Sequence, residues 1–273
     1  MNNKIFFLSS EIAPFSETYY VSQFTKRFCS YMHLQPDTDI RLNQPKFGYI
    51  SERKYILREV IRLKDMSLDF NGEENLVNLK SAFIPDTRVQ VYFTEHEKYF
   101  KPICELLYKA KNGRVYKDND MMYAYFAKVA LETLKRLHWC PDIIVCNDWQ
   151  LSFVPVLLAN FYKDDPFFKD IKTLFIMHSI NENRFMRDIS YRSVSLDDKK
   201  LDTDNLMNAV KYADYTLALN HYSDPINKSF VKDKNINSVI RKTKSKMIDI
   251  PSDLDASKWK NIVQQIEKLI RTI

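Results

Sequence analysis

Three short stretches carry side chains able to bind or transform a ligand. They are the loop Ser9 to Tyr20 (SSEIAPFSETYY), the tetrapeptide Asn147-Asp148-Trp149-Gln150, and the pair His178-Ser179. The carboxylates of Glu11 and Asp148 and the imidazole of His178 are groups that hydrogen-bond polar substrates and move protons. Taken singly, each also has a structural reading. Asp148 caps the helix that follows it, His178 is a hydrogen-bonded core histidine, and Trp149 is core. What joins them is position. Each stretch directly follows an apolar run, KIFFLS (4–9), DIIVCN (142–147) and KTLFIM (172–177), and ligands of open parallel sheets bind beyond the carboxyl ends of such strands.

The elements that must hold these groups are legible in the pattern. Those three runs, with DIRLN (39–43), VQVYF (89–93) and YTLAL (215–219), read as strands, several apolar throughout and therefore buried on both faces. Helical patterns lie between the later strands. DNDMMYAYFAKVALETLKRLHW, from Asp118, places Met122, Phe126, Val129, Ala130 and Leu137 on one stripe with Asp118 or Asn119 as cap; WQLSFVPVLLANFY follows Asp148, and DTDNLMNAVKYA precedes YTLAL. Alternating strand and helix predicts an α/β fold, a single Rossmann-like doubly wound parallel sheet with right-handed crossovers. Between about 49 and 93 the pattern changes to short strands, REVIRLK, MSLDF and LVNLKSAF around the turn NGEEN, a β-rich excursion. After 235 the pattern weakens until SKWKNIVQQIEKLI, a C-terminal helix carrying Trp259, Ile262, Ile266 and Leu269 on one face. The expected division is a domain over 1–250 and a helix within 251–273 packing on it.

Composition narrows the chemistry. The 273 residues, 45% hydrophobic, suffice for a sizeable core, and 41 basic against 35 acidic residues give a diffuse charge of +6 with no basic stripe for nucleic acid. INSVIRKTKSKM is the densest basic stretch and reads as a solvated face. Cys29, Cys104, Cys140 and Cys146 show no metal spacing, and no apolar run approaches the ~20 residues of a membrane helix. The expectation is a cytoplasmic protein with reduced thiols and no metal, cofactor or membrane partner. Ordinary usage would give roughly 19 glycines; there are 3, Gly48, Gly72 and Gly113, too scattered for a GxGxxG or Walker loop. A phosphate site here would need side chains.

Six stretches in order, KIFFLSSEIAPFSET, VYFTEHEKYF, YKDNDMMYAYF, PDIIVCNDWQLSFVPVLL, TLFIMHSI and NAVKYADYTLALNHYSDPI, resemble the N-terminal domain of the bacterial glycogen synthase and plant starch synthase family. That resemblance implies the first Rossmann-like half of a GT-B glycosyltransferase, a retaining hexosyltransferase that extends α-1,4-glucan from ADP-glucose. It places His178 beside the transferred glucose and Glu11, Asp118, Asn119, Asp148 and Trp149 on the acceptor-glucan and architectural side of the cleft, with His178 and Asp148 as the matched catalytic candidates. PSDLDASKWKNIVQQIEKLI resembles the tail helix that returns to the first domain, so the expectation is that the second domain, which supplies most of the ADP pocket, is absent.

The departures fall in the donor loop. Where the family has Lys, Thr, Gly, Gly, this chain has Glu17, Thr18, Tyr19 and Tyr20; Gln150 replaces a histidine and Ser179 an asparagine. A glutamate reverses the charge offered to a phosphate, and tyrosines remove the close backbone approach that glycine allows. The resemblance with these losses implies a degenerate, non-catalytic domain that binds an α-glucan or oligosaccharide or regulates glycogen metabolism. The alternative is a half-enzyme completed by a separate glycosyltransferase half or by a homo-oligomer, with His178 and Asp148 still catalytic. An unrelated small-molecule enzyme using the same cleft is the third.

Overall fold

A computed structural model of the chain describes residues 3–103, 105–253 and 255–273. Among the described residues are eleven strands: β1 (Asn3–Ser9), β2 (Thr38–Pro45), β3 (Arg58–Glu59), β4 (Met66–Phe70), β5 (Glu73–Val77), β6 (Leu79–Phe83), β7 (Gln90–Thr94), β8 (Ile143–Asn147), β9 (Lys172–Met177), β10 (Tyr215–His221) and β11 (Ser245–Ile250). The helices are α1 (Tyr20–His33), α2 (Glu52–Tyr55), α3 (Asn119–Leu137), α4 (Phe153–Asn160), α5 (Asp188–Ser193), α6 (Asn205–Tyr212), α7 (Ile226–Lys232), α8 (Lys234–Ile240) and α9 (Ala256–Ile270).

Nine strands form one sheet in the order β11-β10-β9-β8-β1-β2-β7-β6-β3. Pairing is parallel from β11 through to β7, and β6 and β3 add antiparallel at the far edge. The apolar runs at β1, β8 and β9 sit in the middle of the parallel part, where both faces are covered, which is why they need no alternation. From β1 the chain first moves to β2 and β7, then returns through α3 to β8 and walks the other way. Right-handed crossovers therefore put α1 on one face and α3, α4 and α6 on the opposite one. The contacts agree: α3 packs on α4 and α4 on α6, while α9 packs on α1. The reversal of direction falls between β1 and β8, the switch point at which such sheets bind ligands.

Four expectations are corrected. REVIRLK is not one strand: β3 is two residues, paired with Lys80 and Ser81, and Ile61–Leu63 turns as a 3-10 helix that buries Leu63 while Ile61 stays 91% exposed. LVNLKSAF breaks at Asn78, whose side chain accepts from Asp65 N–H, so that β5 joins β4 in a separate hairpin and β6 joins the main sheet. That hairpin turns on Asn71 (φ 59°) and Gly72 (φ 74°), the left-handed pair a two-residue turn requires. The stretch after 235, read as weakly patterned, holds the rest of α8 and the edge strand β11, whose half-exposed sequence SKMIDI lacks an apolar run. Finally, α3 is buried on nearly all sides, not along one stripe, because α5 and β4 cover the face turned away from the sheet. Asp118 holds its N-cap position without a capping hydrogen bond.

Candidate functional site

At the switch point the ends of β1, β8 and β9 enclose a cavity of ≈ 90 Å³. Asp148, the first residue beyond β8, has φ 69° and ψ 176°, backbone ordinarily reserved for glycine. The conformation is held by its own side chain. Oδ1 accepts from the backbone N–H of His178 (3.0 Å) and Ser179 (3.1 Å), and Oδ2 from Ser179 Oγ (3.2 Å). The carboxylate thus ties the β8 end to the β9 end rather than capping the helix after it, which corrects the capping reading. Burial pushes its carboxyl up to about 6 against the pull of these hydrogen bonds.

His178 is fully buried, and a chain of hydrogen bonds fixes its tautomer. Ser9 Oγ donates to Glu11 O (2.8 Å) and Thr25 Oγ1 to Val21 O (2.8 Å), so both hydroxyls are left to accept from Asn147 Nδ2 (3.2 and 3.0 Å). That orients the Asn147 amide with Oδ1 toward His178 Nε2, 2.7 Å away. An amide oxygen only accepts, so Nε2 carries the proton and Nδ1 presents a bare lone pair without a protein partner. Burial, with His221 nearby, holds the imidazole neutral, its pKa lowered to about 3. Phe24 and Tyr20 flank the ring edge-on at 5.0 and 5.4 Å.

The opposite wall is the loop before α1. Glu11, itself buried, folds its carboxylate back onto that loop: Oε2 accepts from Thr18 N–H (2.7 Å) and Thr18 Oγ1 (3.0 Å), and Oε1 from Tyr19 N–H (3.0 Å). Burial pushes its carboxyl up to about 8. Tyr49 bonds Ser16, and Tyr55 donates to the Pro14 carbonyl, so the segment entering the β-rich excursion clamps the loop from outside. Tyr19 stacks on Tyr108 (5.7 Å, 12°). Tyr20 stacks on His221 (4.1 Å, 17°) and its hydroxyl donates to the His178 carbonyl (3.2 Å). Trp149 is core, edge-on to Tyr108 and Tyr123 at 5.4 and 5.3 Å.

The structure therefore brings Glu11, Tyr19, Tyr20, Asp148, Trp149 and His178 to one cavity and leaves four candidates outside its lining. Thr18 lies behind Glu11. Glu17 is exposed and bonds Gln23 (2.5 Å). Asp118 pairs with Arg187 (3.2 Å), and Asn119 donates to Tyr108 O (2.9 Å); both line a separate hollow. Sequence reasoning missed Tyr108, Asn181 and Asp224. Asn147 stood in the tetrapeptide that the sequence singled out, without its part in orienting His178; Asp224 arrives through the turn after β10, which no local pattern marks. Among the described residues lining the cavity are three acidic side chains, Glu11, Asp148 and Asp224, and no lysine or arginine.

A doubly wound sheet with polar groups gathered at its switch point defines the class: a Rossmann-like domain with a ligand site beyond the strand ends. The sequence profile of the starch synthase catalytic domain matches residues 4–228, and the chain belongs to that family. It is similar to the glycogen synthase of Pelodictyon phaeoclathratiforme, 29% identical over an alignment of 275 positions that covers 98% of this chain and 56% of that protein. The glycogen synthase of Chlorobium luteolum is 36% identical over 178 residues, 65% of this chain and 36% of that one. The chain thus spans about half the length of the first of these relatives or less. Its fold matches the catalytic domain of starch synthase IV from Arabidopsis thaliana bound to ADP and acarbose, with a TM-score of 0.72 at 17% identity over 95% of this chain and 53% of that one.

Proposed function

We propose that this is a degenerate glycogen and starch synthase-like domain that does not transfer glucose by itself and acts as an α-glucan-binding or regulatory module. The observation that carries the reading is the lining of the cavity in front of His178. A diphosphate needs cations or free backbone N–H groups. Here the acidic side chains of Glu11, Asp148 and Asp224 line the wall without a lysine or arginine among the described residues, Glu11 already occupies the N–H groups of Thr18 and Tyr19, and Tyr20 covers His178. The space is also well below the roughly 300–1,000 Å³ of ordinary small-molecule pockets. The test is transfer of labelled glucose from ADP-glucose to glycogen by the purified chain. No turnover above a His178→Ala control is expected; turnover well above that control contradicts the reading.

One observation favours a second reading, a half-enzyme completed by a partner chain or a second copy. The relay from Thr25 and Ser9 through Asn147 leaves His178 Nδ1 a free acceptor, a state with no structural use. Such a partner would supply the cations the cavity lacks. Purification from native extract should then return a stable complex with a second glycosyltransferase half, or a homo-oligomer that turns over ADP-glucose. A monomer without a partner and without turnover removes this reading.

A further inference from the structure

The positive charge of this chain is not diffuse, as its composition alone suggests. Residues 228–246 hold seven of the 41 basic side chains and one of the 35 acidic ones, which leaves 34 of each sign over the rest of the chain. The whole net charge of +6 therefore resides in this one segment. Lys228 and Lys232 stand on α7, Lys234, Arg241 and Lys242 on α8 and its end, and Lys244 and Lys246 lead into β11. The fold keeps them together, because α7 and α8 pack on each other and β11 is the outermost strand of the sheet. Helical spacing puts Lys228 and Lys232 on one side of α7, and Lys234 in line with Arg241 and Lys242 on α8, while Phe230 and Ile236 turn inward.

All seven side chains are exposed, and among the described residues none meets a carboxylate; Lys246 alone has a partner, Gln265 Oε1 at 3.2 Å. Asp233 does not balance them, since its carboxylate is committed to Arg184 (2.6 Å). Neighbours on each helix lie within the ~8 Å over which physiological salt leaves charges visible to one another, so their fields add. Two aliphatic side chains stand in the open among the cations, Val231 (77% exposed) and Met247 (42%), whereas the segment's one ring, Phe230, is buried. Lysines on an edge strand keep other strands from pairing with it. That accounts for Lys246 and not for the five cations of α7 and α8.

Six of the seven are lysines, compact point charges without the guanidinium fork that reads base edges, and no exposed ring in the segment offers a base a stacking surface. A plane of anionic lipid headgroups needs neither. It is held by clustered positive charge and by aliphatic side chains that enter between the headgroups. We propose that the α7–α8–β11 edge is a peripheral docking surface for an anionic lipid bilayer. No helix among the described residues is long and apolar enough to cross a membrane, so the contact is with the surface. For this edge, the expectation of no membrane partner is set aside. The His178 cavity plays no part in the contact, which stands or falls apart from the glucan-binding reading.

The test sediments the full 273-residue chain with vesicles of phosphatidylcholine alone and of phosphatidylcholine with about 30% phosphatidylserine. Binding to the anionic vesicles only, released on raising salt from about 0.1 to 0.5 M, is expected. Lys242→Gln/Lys244→Gln should weaken it about 25-fold, roughly fivefold for each charge removed. Arg53→Gln/Arg62→Gln, the same change of charge beside β3 at the opposite edge of the sheet, should weaken it less than about twofold. Thermal melts establish that both pairs fold. No sedimentation with anionic vesicles overturns the proposal, and so does an equal loss in the two pairs, which would mean net charge rather than this surface. A single-stranded oligonucleotide of about 30 bases bound more tightly than the vesicles, and lost in the Lys242/Lys244 pair, would make the edge a nucleic-acid face and overturn the lipid assignment.

Discussion

The two walls of the His178 cavity are built on opposite principles. The wall from β8 and β9 is built from hydrogen bonds among Asn147, Asp148, His178 and Ser179, and it leaves His178 Nδ1 and Gln150 Oε1 unpaired. The wall from the β1–α1 loop is assembled from rings, with Tyr19 on Tyr108 and Tyr20 on His221, and its backbone N–H groups are consumed by Glu11. The first wall is made of polar groups; the second is made of rings and a folded-back acid. Scarcity of glycine connects them. With no glycine in either loop, Asp148 adopts a glycine-like backbone and secures it with its own carboxylate, whereas the β1–α1 loop fills its space with side chains.

Replacing Asp148 is expected to cost most. Asp148→Ala orphans the buried N–H groups of His178 and Ser179 and keeps a Cβ at φ 69°, a loss of roughly 3–4 kcal/mol in denaturant titration. Asp148→Gly loses the same acceptor but relieves the backbone, so it should be more stable than Asp148→Ala by about 1 kcal/mol, the reverse of the usual order. If alanine is the more stable of the two, the strain is not being held by the carboxylate.

The loop wall should respond to pH in a window that the other wall leaves quiet. Glu11 has a folded pKa of about 8 against an ordinary 4.5, so between these values the folded chain holds a proton that the unfolded chain has released. Stability therefore falls as pH rises through that range. Asp148 contributes the same sign only between 3.8 and about 6, while His178, lowered from 6.5 to about 3, contributes the opposite sign below 6.5. From pH 6.5 to 8 only Glu11 is left among the three. A fall of at most about 2 kcal/mol is expected there, and Glu11→Gln should flatten the slope whatever its absolute stability. A parent chain whose stability is level across that window contradicts the assignment.

Smaller effects separate rings from charge in the loop. Tyr20→Ala gives up the His221 stack and the contact with His178 and should cost about 2 kcal/mol. Glu17→Ala, at an exposed residue bonded only to Gln23 across its own loop and helix start, should stay within about 0.5 kcal/mol of the parent. Equal costs would mean that the loop is held by charge and not by ring packing.

Much of this was readable from residues alone, and the exceptions have physical reasons. The strands β1, β8 and β9 announce themselves because burial on both faces demands unbroken apolar runs; β11 does not, because an edge strand keeps polar side chains outward. The family resemblance located the loop substitution at Glu17, Tyr19 and Tyr20, yet not its division of labour. Glu17, the most conspicuous charge reversal, faces solvent, and the acid that this loop contributes to the cavity wall is Glu11. Side-chain direction at a loop is set by long-range partners such as Tyr49, Tyr55 and Tyr108, which lie 33 or more positions away from the loop residues they touch. The His178 tautomer likewise depends on hydroxyls from β1 and α1, distant in sequence from the histidine.

The account turns on whether the loop wall excludes a sugar nucleotide. Calorimetric titration of ADP-glucose into the parent chain and into Glu17→Lys/Tyr19→Gly/Tyr20→Gly decides it. No saturable binding is predicted for the parent and measurable binding for the triple variant. Saturable binding of ADP-glucose by the unaltered chain would contradict the central claim.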